Sequence, residues 1–209
     1  MPTLYNRIAG QSLDRLSALS DGVFAVAMTL LALDLHAPVA EAIHSEHDLG
    51  RALLKLAPRL LTYVMSFLTL GIFWNAQQAQ FNHLDHSDRD LTWIHIAFLA
   101  VVTLVPFSTA LLAEFITFRL ALLIYWANIL LLGAVLYASL TCAVRSGLLR
   151  DDVPADLPRA HCRRILAFQA AYAFGAGLCV FSTTWSIAFI LLVQLDSALA
   201  PRIKWLYRI

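Results

Sequence analysis

Two charges and a hydroxyl stand inside an otherwise apolar run near the start of the chain: Arg15, Ser20 and Asp21, followed by Gly22-Val-Phe-Ala-Val-Ala-Met-Thr-Leu-Leu-Ala-Leu-Asp34. A charged side chain in hydrocarbon costs at least about 2.5 kcal/mol, so such groups face protein or water and take partners. Arg15 and Asp21 suit each other poorly, because six positions turn a helix through about 240° and contact needs a spacing of three or four. Their partners are expected on other helices. Two kinds of chemistry are open to them: anchoring by hydrogen bonds, or coupling of an ion to a moving substrate.

Beyond Asp21, the residues Gly22, Val26, Thr29, Leu30 and Leu33 share one face at helical spacing. Such a stripe packs on lipid or core, or it forms a hydrophobic constriction that gates by dewetting when several copies surround an axis. Asp34 follows at the outer end, where a ring of carboxylates would concentrate cations.

Enzymatic chemistry has weaker material. His44, Glu46 and His47 form one cluster and His83, Asp85, His86 and Asp88 another, with neither metalloprotease nor nucleophile-elbow spacing. Both read as solvated loops, so no catalytic residue, metal or cofactor is expected. Cys142, Cys162 and Cys179 read as small apolar side chains without disulfide or zinc spacing. A net charge of +1 with no basic stripe excludes nucleic acid as a partner.

The elements that position these residues are membrane helices. Of 209 residues 60% are hydrophobic and 14% charged, where a soluble domain is about half apolar and a quarter charged. Apolar blocks reach the roughly 20 residues that cross a hydrocarbon core. Six spans are expected, at about 13–35, 58–81, 90–112, 119–142, 163–181 and 183–200, in a single domain over 1–209. The first is a retained helix, not a cleaved signal peptide. Pro58 opens the second, Ser87 and Asp90 make a capping pair for the third, and the fourth, the most uniformly apolar, is expected to be the most lipid-exposed. The nearly forty apolar residues from Arg163 to Ala200 exceed one crossing and divide near Ser182-Thr183-Thr184. No internal repeat is visible, and the outer segment from Val39 to Lys55 has room for a short surface helix.

With the N-terminus inside, inner segments hold Arg7, Arg15, Arg89, Arg145, Arg150, Arg159, Arg163, Arg164, Arg202, Lys204 and Arg208, and outer segments hold Arg51, Lys55, Arg59 and Arg119. That asymmetry places both termini in the cytoplasm. Trp93, Trp185 and Trp205 fall near the expected interfaces.

Depth then pairs residues across helices. Ser20 and Asp21 lie roughly 10 Å above the inner end of span one. The descending second span brings Trp74, Asn75, Gln77 and Gln78 to that level, and the ascending third brings Thr92 and His95. A hydrogen-bond network there would fix helix one against spans two and three, either as packing glue or as support for a working element.

The run Arg15-Leu-Ser-Ala-Leu-Ser-Asp21 and the Gly-Val-Phe-Ala-Val-Ala-Met-Thr after it resemble the Arg-x-x-x-Phe-Ser-Asp signature of the lysosomal potassium channel family (transmembrane protein 175), particularly its single-repeat bacterial members. Phe73-Trp74 and Pro106-Phe107-Ser108-Thr109 extend the resemblance over most of the chain. Leu19 stands where the family usually has Phe. Gln77 and Gln78 stand where many relatives have a His pair, and glutamine does not titrate.

The resemblance implies a homotetramer in which the first helices of four subunits line a pore for monovalent cations, above all potassium. By position from Asp21 its narrow layers would be Val26, Leu30 and Leu33, with Thr29 offering a hydroxyl and the tightest ring at Leu30. Arg15, Ser20, Asp21, Trp74, Asn75, Gln77, Gln78 and His95 would support that helix. The expected setting is a bacterial plasma (inner) membrane, crossed several times, with potassium as permeant ion and no cofactor. A dry aliphatic ring favours the weakly hydrated potassium ion, so selectivity should be modest. The alternative is an ion-coupled secondary transporter that uses Arg15 and Asp21, although neither inverted repeats nor helices broken at the midplane are visible.

Overall fold

The computed structural model describes residues 12–40 and 43–199. Arg7, Arg202, Lys204, Arg208 and Trp205 lie outside that range.

Helix α1 spans Leu13–Leu33, and the Ser12 side chain caps it by accepting from the Arg15 N–H, beside Asp14 in the first turn. An anion and a hydroxyl here satisfy donors that the helix itself cannot. A short helix α2, Glu46–Lys55, is capped by Ser45 and has no buried residue. Leu56 alone separates it from α3, Ala57–Phe81, which carries Pro58 in its first turn. Two helices follow, α4 (Arg89–Thr103) and α5 (Val105–Glu114), interrupted at Leu104. Pro106 lacks the N–H that would bond the Val102 carbonyl, which accounts for the break.

The cap of α4 differs from the Ser87/Asp90 expectation. Asp88 is the N-cap and accepts from the Leu91 N–H at 2.8 Å. Ser87 and Asp88 are adjacent capping types, and the spacing rule alone cannot choose between them; the Asp88 carboxylate accepts from a backbone donor of the first turn.

Helix α6, Arg119–Ser146, ends at Gly147 with φ 66°, the left-handed conformation that glycine adopts without a Cβ penalty. An isolated bridge pairs Leu84 with Leu149 across the two loops beyond it. Helix α7, Leu157–Gly177, begins before the expected fifth span and has Pro158 in its first turn. A 3-10 turn at Leu178–Val180 separates it from α8, Thr183–Leu199.

The membrane-length helices that follow one another in the chain run antiparallel. Ser17 bonds Gln78 and Asp21 bonds Trp74. Arg59 at the start of α3 pairs at 2.8 Å with Glu114 at the end of α5. Phe174 and Phe189 pack edge to face between α7 and α8. The core lies where the helices converge, with Phe24, Phe73 and Phe98 in a buried aromatic cluster.

Among the described residues four stretches are long and apolar enough to cross a membrane: Leu13–Leu33, Ala57–Phe81, Arg89–Glu114 and Arg119–Ser146. The chain is thus an all-helical, multi-pass membrane protein. The fourth stretch, expected to be the most lipid-exposed, is among the more buried in the protomer: 44% of its apolar part is buried, against 28% for α1 and 33% for α3, because α6 packs against α3, α4, α5, α7 and α8. A helix that is apolar all round is what a central position requires.

Candidate functional site

Helix α1 presents two opposed faces. Leu16, Ser20, Phe24, Ala27 and Leu31 recur at steps of three or four and are buried. The opposite face carries Gly22, Val26, Thr29, Leu30 and Leu33, all exposed on the protomer, with Val26 at 57%, Leu30 at 45% and Leu33 at 69%. These five fall within about 100° of arc at 100° per residue, and Val26 and Leu30 differ in height by about 6 Å. The Thr29 hydroxyl donates to the Val26 carbonyl at 2.8 Å. Its proton is thereby committed, which leaves oxygen lone pairs toward the open face. Asp34 is the C-cap of α1 and half-buried.

The polar level near the inner end joins α1 to α3 and α4. Asp21 Oδ1 accepts from Trp74 Nε1 at 2.7 Å and from Gln78 Nε2 at 2.9 Å. Ser20 donates to Gln77 Oε1, and Gln77 Nε2 donates to His95 Nδ1 at 3.0 Å. Ser20, Gln77 and His95 are buried, at 0%, 2% and 2% exposed. A buried amide between a hydroxyl and an imidazole keeps each group paired, which unpaired would cost about 1–3 kcal/mol. Thr92 turns back on its own helix, its hydroxyl donating to the Asp88 carbonyl.

Two expected members stay out of this network. Arg15 is exposed and makes no ion pair among the described residues. By helical phase it shares the face of Leu33, seven positions from Gly22 and eleven from Val26. Asn75 is exposed and borders a crevice on the far side of α3. Asn75 sits at the height of Asp21, but rotation about the axis of α3 turns it away, whereas Arg15 lies six positions, about 9 Å, below Asp21 on α1 itself.

A second buried polar cluster lies at mid-depth; only its Ser108 and Thr109 belong to a motif noted in the sequence, and no charge marks it. Thr109 donates to Ser66 Oγ at 2.6 Å, Tyr125 OH lies 3.1 Å from Thr69 Oγ1, Gln194 donates to Thr69 Oγ1 at 2.8 Å, and Asn128 donates to Ser108 Oγ at 3.1 Å. It ties α3, α5, α6 and α8 together. The signal was Gln194 and Asn128 within apolar runs, both uncharged and so cheap enough to overlook.

The loop clusters serve local structure. Asp48 accepts from Ser45 and Arg51, which holds its carboxyl below the usual carboxylate range, the Ser45 hydrogen bond contributing most. His86 contacts Asp85 at 3.0 Å. Among the described residues no group of three or more His, Cys, Asp or Glu is placed to hold a metal ion.

Known proteins resemble the chain over most of its length. The family model described as endosomal/lysosomal potassium channel TMEM175 matches residues 15–106. A potassium channel of Streptomyces collinus is 33% identical over 180 residues, covering 84% of this chain and 82% of that protein. The endosomal/lysosomal proton channel TMEM175 of Gallus gallus is 33% identical over 111 residues, which cover 50% of this chain and 22% of that protein. The crystal structure of a lysosomal potassium-selective channel TMEM175 homolog from Chamaesiphon minutus superposes with a TM-score of 0.79 at 26% identity, covering 91% of this chain and 98% of that one.

Proposed function

The chain belongs to the TMEM175 family of potassium channels, and from that premise we propose that the open face of α1 lines a potassium-permeable pore in a homotetramer. Val26, Leu30 and Leu33 form its dry layers, Thr29 sets an oxygen beside them, and Asp34 gathers cations at the outer mouth. The observation that carries this reading is the division of α1 into a face sealed by Leu16, Ser20, Phe24, Ala27 and Leu31 and a face left bare. Asp21, held by Trp74 and Gln78, sets the rotation of α1 and so decides which residues the bare face contains.

The proposed topology has six crossings in one domain over 1–209, with α7 from about residue 163 as the fifth, α8 as the sixth, and both termini in the cytoplasm of a bacterium with this protein in its inner membrane. Asp21 and Ser20 act as anchors, not as ion ligands. Arg15 and Asn75, whose side chains have no partner among the described residues, take a supporting part only through a neighbouring subunit. The pore needs no cofactor.

Flux from potassium-loaded liposomes into sodium medium tests the proposal. Purified protein is expected to carry passive, non-saturating potassium flux exceeding its sodium flux, with proton flux measured in parallel because a family relative is named for protons. Flux no greater than in empty liposomes overturns the channel reading, and a saturable flux strictly coupled to protons would favour a transporter.

A further inference from the structure

A crevice of about 420 Å³ lies between α3 and α7, lined also by Leu136 of α6 and by Ser197 and Ala198 of α8 but by no residue of α1. That volume is within the range of roughly 300–1,000 Å³ typical of ligand pockets. Helix α7 gives it one continuous stripe that includes His161, Arg164, Phe168 and Tyr172. From His161 to Tyr172 the stripe is about 16 Å long, close to half of the roughly 30 Å hydrocarbon core. The crevice is therefore one leaflet deep.

Its walls and its mouth differ in chemistry. Phe67, Leu68 and Ile72 of α3 face Ile165 and Phe168 of α7. At Gly71 a Cβ would meet nothing within 4 Å, so the α3 wall borders open space. At the inner end stands Arg164, exposed, with no ion pair among the described residues and its guanidinium carbon 5.7 Å from the Phe168 ring centroid. His161 lies beside it, its ring edge-on to His83 at 5.4 Å. Arg159 and Arg163 are exposed on the same turns but do not line the crevice. Arginine without a carboxylate partner is suited to a phosphate, which it can bind through two parallel hydrogen bonds.

We propose that this crevice binds an anionic phospholipid of the inner leaflet, with one acyl chain between α3 and α7 and the phosphate on Arg164. A largely apolar slot, about one leaflet deep and with the Gln169 and Tyr172 side chains in its lining, joined to a cationic mouth, matches the two ends of that molecule. The surrounding bilayer supplies it at a concentration no soluble ligand reaches. The site depends on the chain being embedded in a bilayer and not on what its pore conducts.

Native mass spectrometry of the detergent-purified oligomer tests this, after exposure to micelles holding equal amounts of phosphatidylglycerol, phosphatidylcholine and oleate. Phosphatidylglycerol is expected to be retained over phosphatidylcholine, and Arg164→Gln to lower its retention by about fivefold, the effect of one cationic contact near a membrane surface. Gly71→Leu, which fills the slot, is expected to lower retention of any lipid. Arg163→Gln, an exposed neighbour that does not border the crevice, should leave retention unchanged. Equal retention of the two phospholipids, preference for oleate, or an equal loss from Arg163→Gln and Arg164→Gln would each overturn the proposal. Because Arg164 is exposed its variant folds, and the elution volume of the oligomer verifies it. Liposome flux is scored separately, so a protein that retains lipid but conducts nothing refutes the pore and not the site.

Discussion

Asp21 Oδ1 lies 2.7 Å from the indole nitrogen of Trp74, and the same oxygen accepts from Gln78 at 2.9 Å. A carboxylate on α1 is thereby held by two neutral donors of α3 and, among the described residues, by no cation. Asp21→Ala leaves both donors without an acceptor, whereas Asp21→Asn keeps one oxygen in place. The alanine variant should lose about 1–2 kcal/mol and the asparagine variant less. Thermal midpoints in detergent give the order, and equal midpoints would show that the bonds contribute nothing to anchoring α1.

Gln77 makes a sharper case because it is buried between two buried partners. Gln77→Leu keeps most of the volume but strands the Ser20 hydroxyl and the His95 ring. A loss of about 2–3 kcal/mol is expected, since each stranded group forfeits its hydrogen bond without regaining water. Ser20→Ala combined with Gln77→Leu should be less harmful than the sum of the two, and strict additivity in the thermal midpoint would contradict the coupling.

How far these contacts were legible in the sequence depends on which physical quantity each one needs. Height along a helix follows from residue count at about 1.5 Å per residue, so Asp21, Trp74, Gln78 and His95 could be matched in level before any coordinates. Rotation does not follow so simply. Asn75 has a suitable height and points elsewhere, because helix phase at a contact is set by packing against several neighbours at once. Apolarity was ambiguous in the same way for α6, whose uniform surface suits lipid and core equally; only its central position decides. The Thr69–Tyr125–Gln194 cluster lacked any charge to announce it, and Gln194 is 125 residues from its partner.

Ala27 and Leu30 are three positions apart on α1 and should respond oppositely to substitution. Ala27 is 1% exposed and Leu30 is 45% exposed. Ala27→Leu overfills a packed interface and should cost about 1–3 kcal/mol, seen as a lower thermal midpoint. Leu30→Ser should leave that midpoint within about 0.5 kcal/mol, as surface changes do, while on the proposed pore reading it raises ion flux or weakens potassium preference by wetting the layer assigned to Leu30. A folded Leu30→Ser protein with unchanged flux and selectivity would remove Leu30 from the pore.

His161 lies at the inner mouth of the α7 crevice, on the cytoplasmic side of the proposed fifth crossing. Burial lowers its pKa below the ordinary 6.5, and the neighbouring His83 and Arg164 lower it further. A histidine with a depressed folded pKa favours the native state while neutral. Its contribution is therefore present above about 6.5 and is lost as pH falls through the folded value. In an NMR titration of labelled histidine, His83→Ala should raise the His161 midpoint, but not fully to 6.5, because burial is the larger cause. A midpoint unmoved by His83→Ala would exclude the charge of His83 as a contributor.

Gly133 and Gln169 give a prediction about the packing that supports the crevice. A Cβ at Gly133 would lie 1.7 Å from Gln169 Nε2 and 2.9 Å from its Cγ, so the Gln169 side chain lies against α6 there because residue 133 is glycine. Gln169 Nε2 also donates to the Ile129 carbonyl at 3.1 Å, while its Oε1 is buried without a partner among the described residues. Gly133→Ala should push the glutamine aside, break that bond and lower stability by about 1–3 kcal/mol. Gln169→Ala alone should cost less, since it also removes an unsatisfied oxygen. In the double variant the clash is gone and the higher helix propensity of alanine remains, a gain of about 1 kcal/mol over glycine. Gly133→Ala should therefore destabilise the protein with Gln169 present and stabilise it in the Gln169→Ala background, a reversal of sign readable from four thermal midpoints. Effects that add within about 0.5 kcal/mol would mean that the two helices separate freely and that glycine at 133 answers no steric demand.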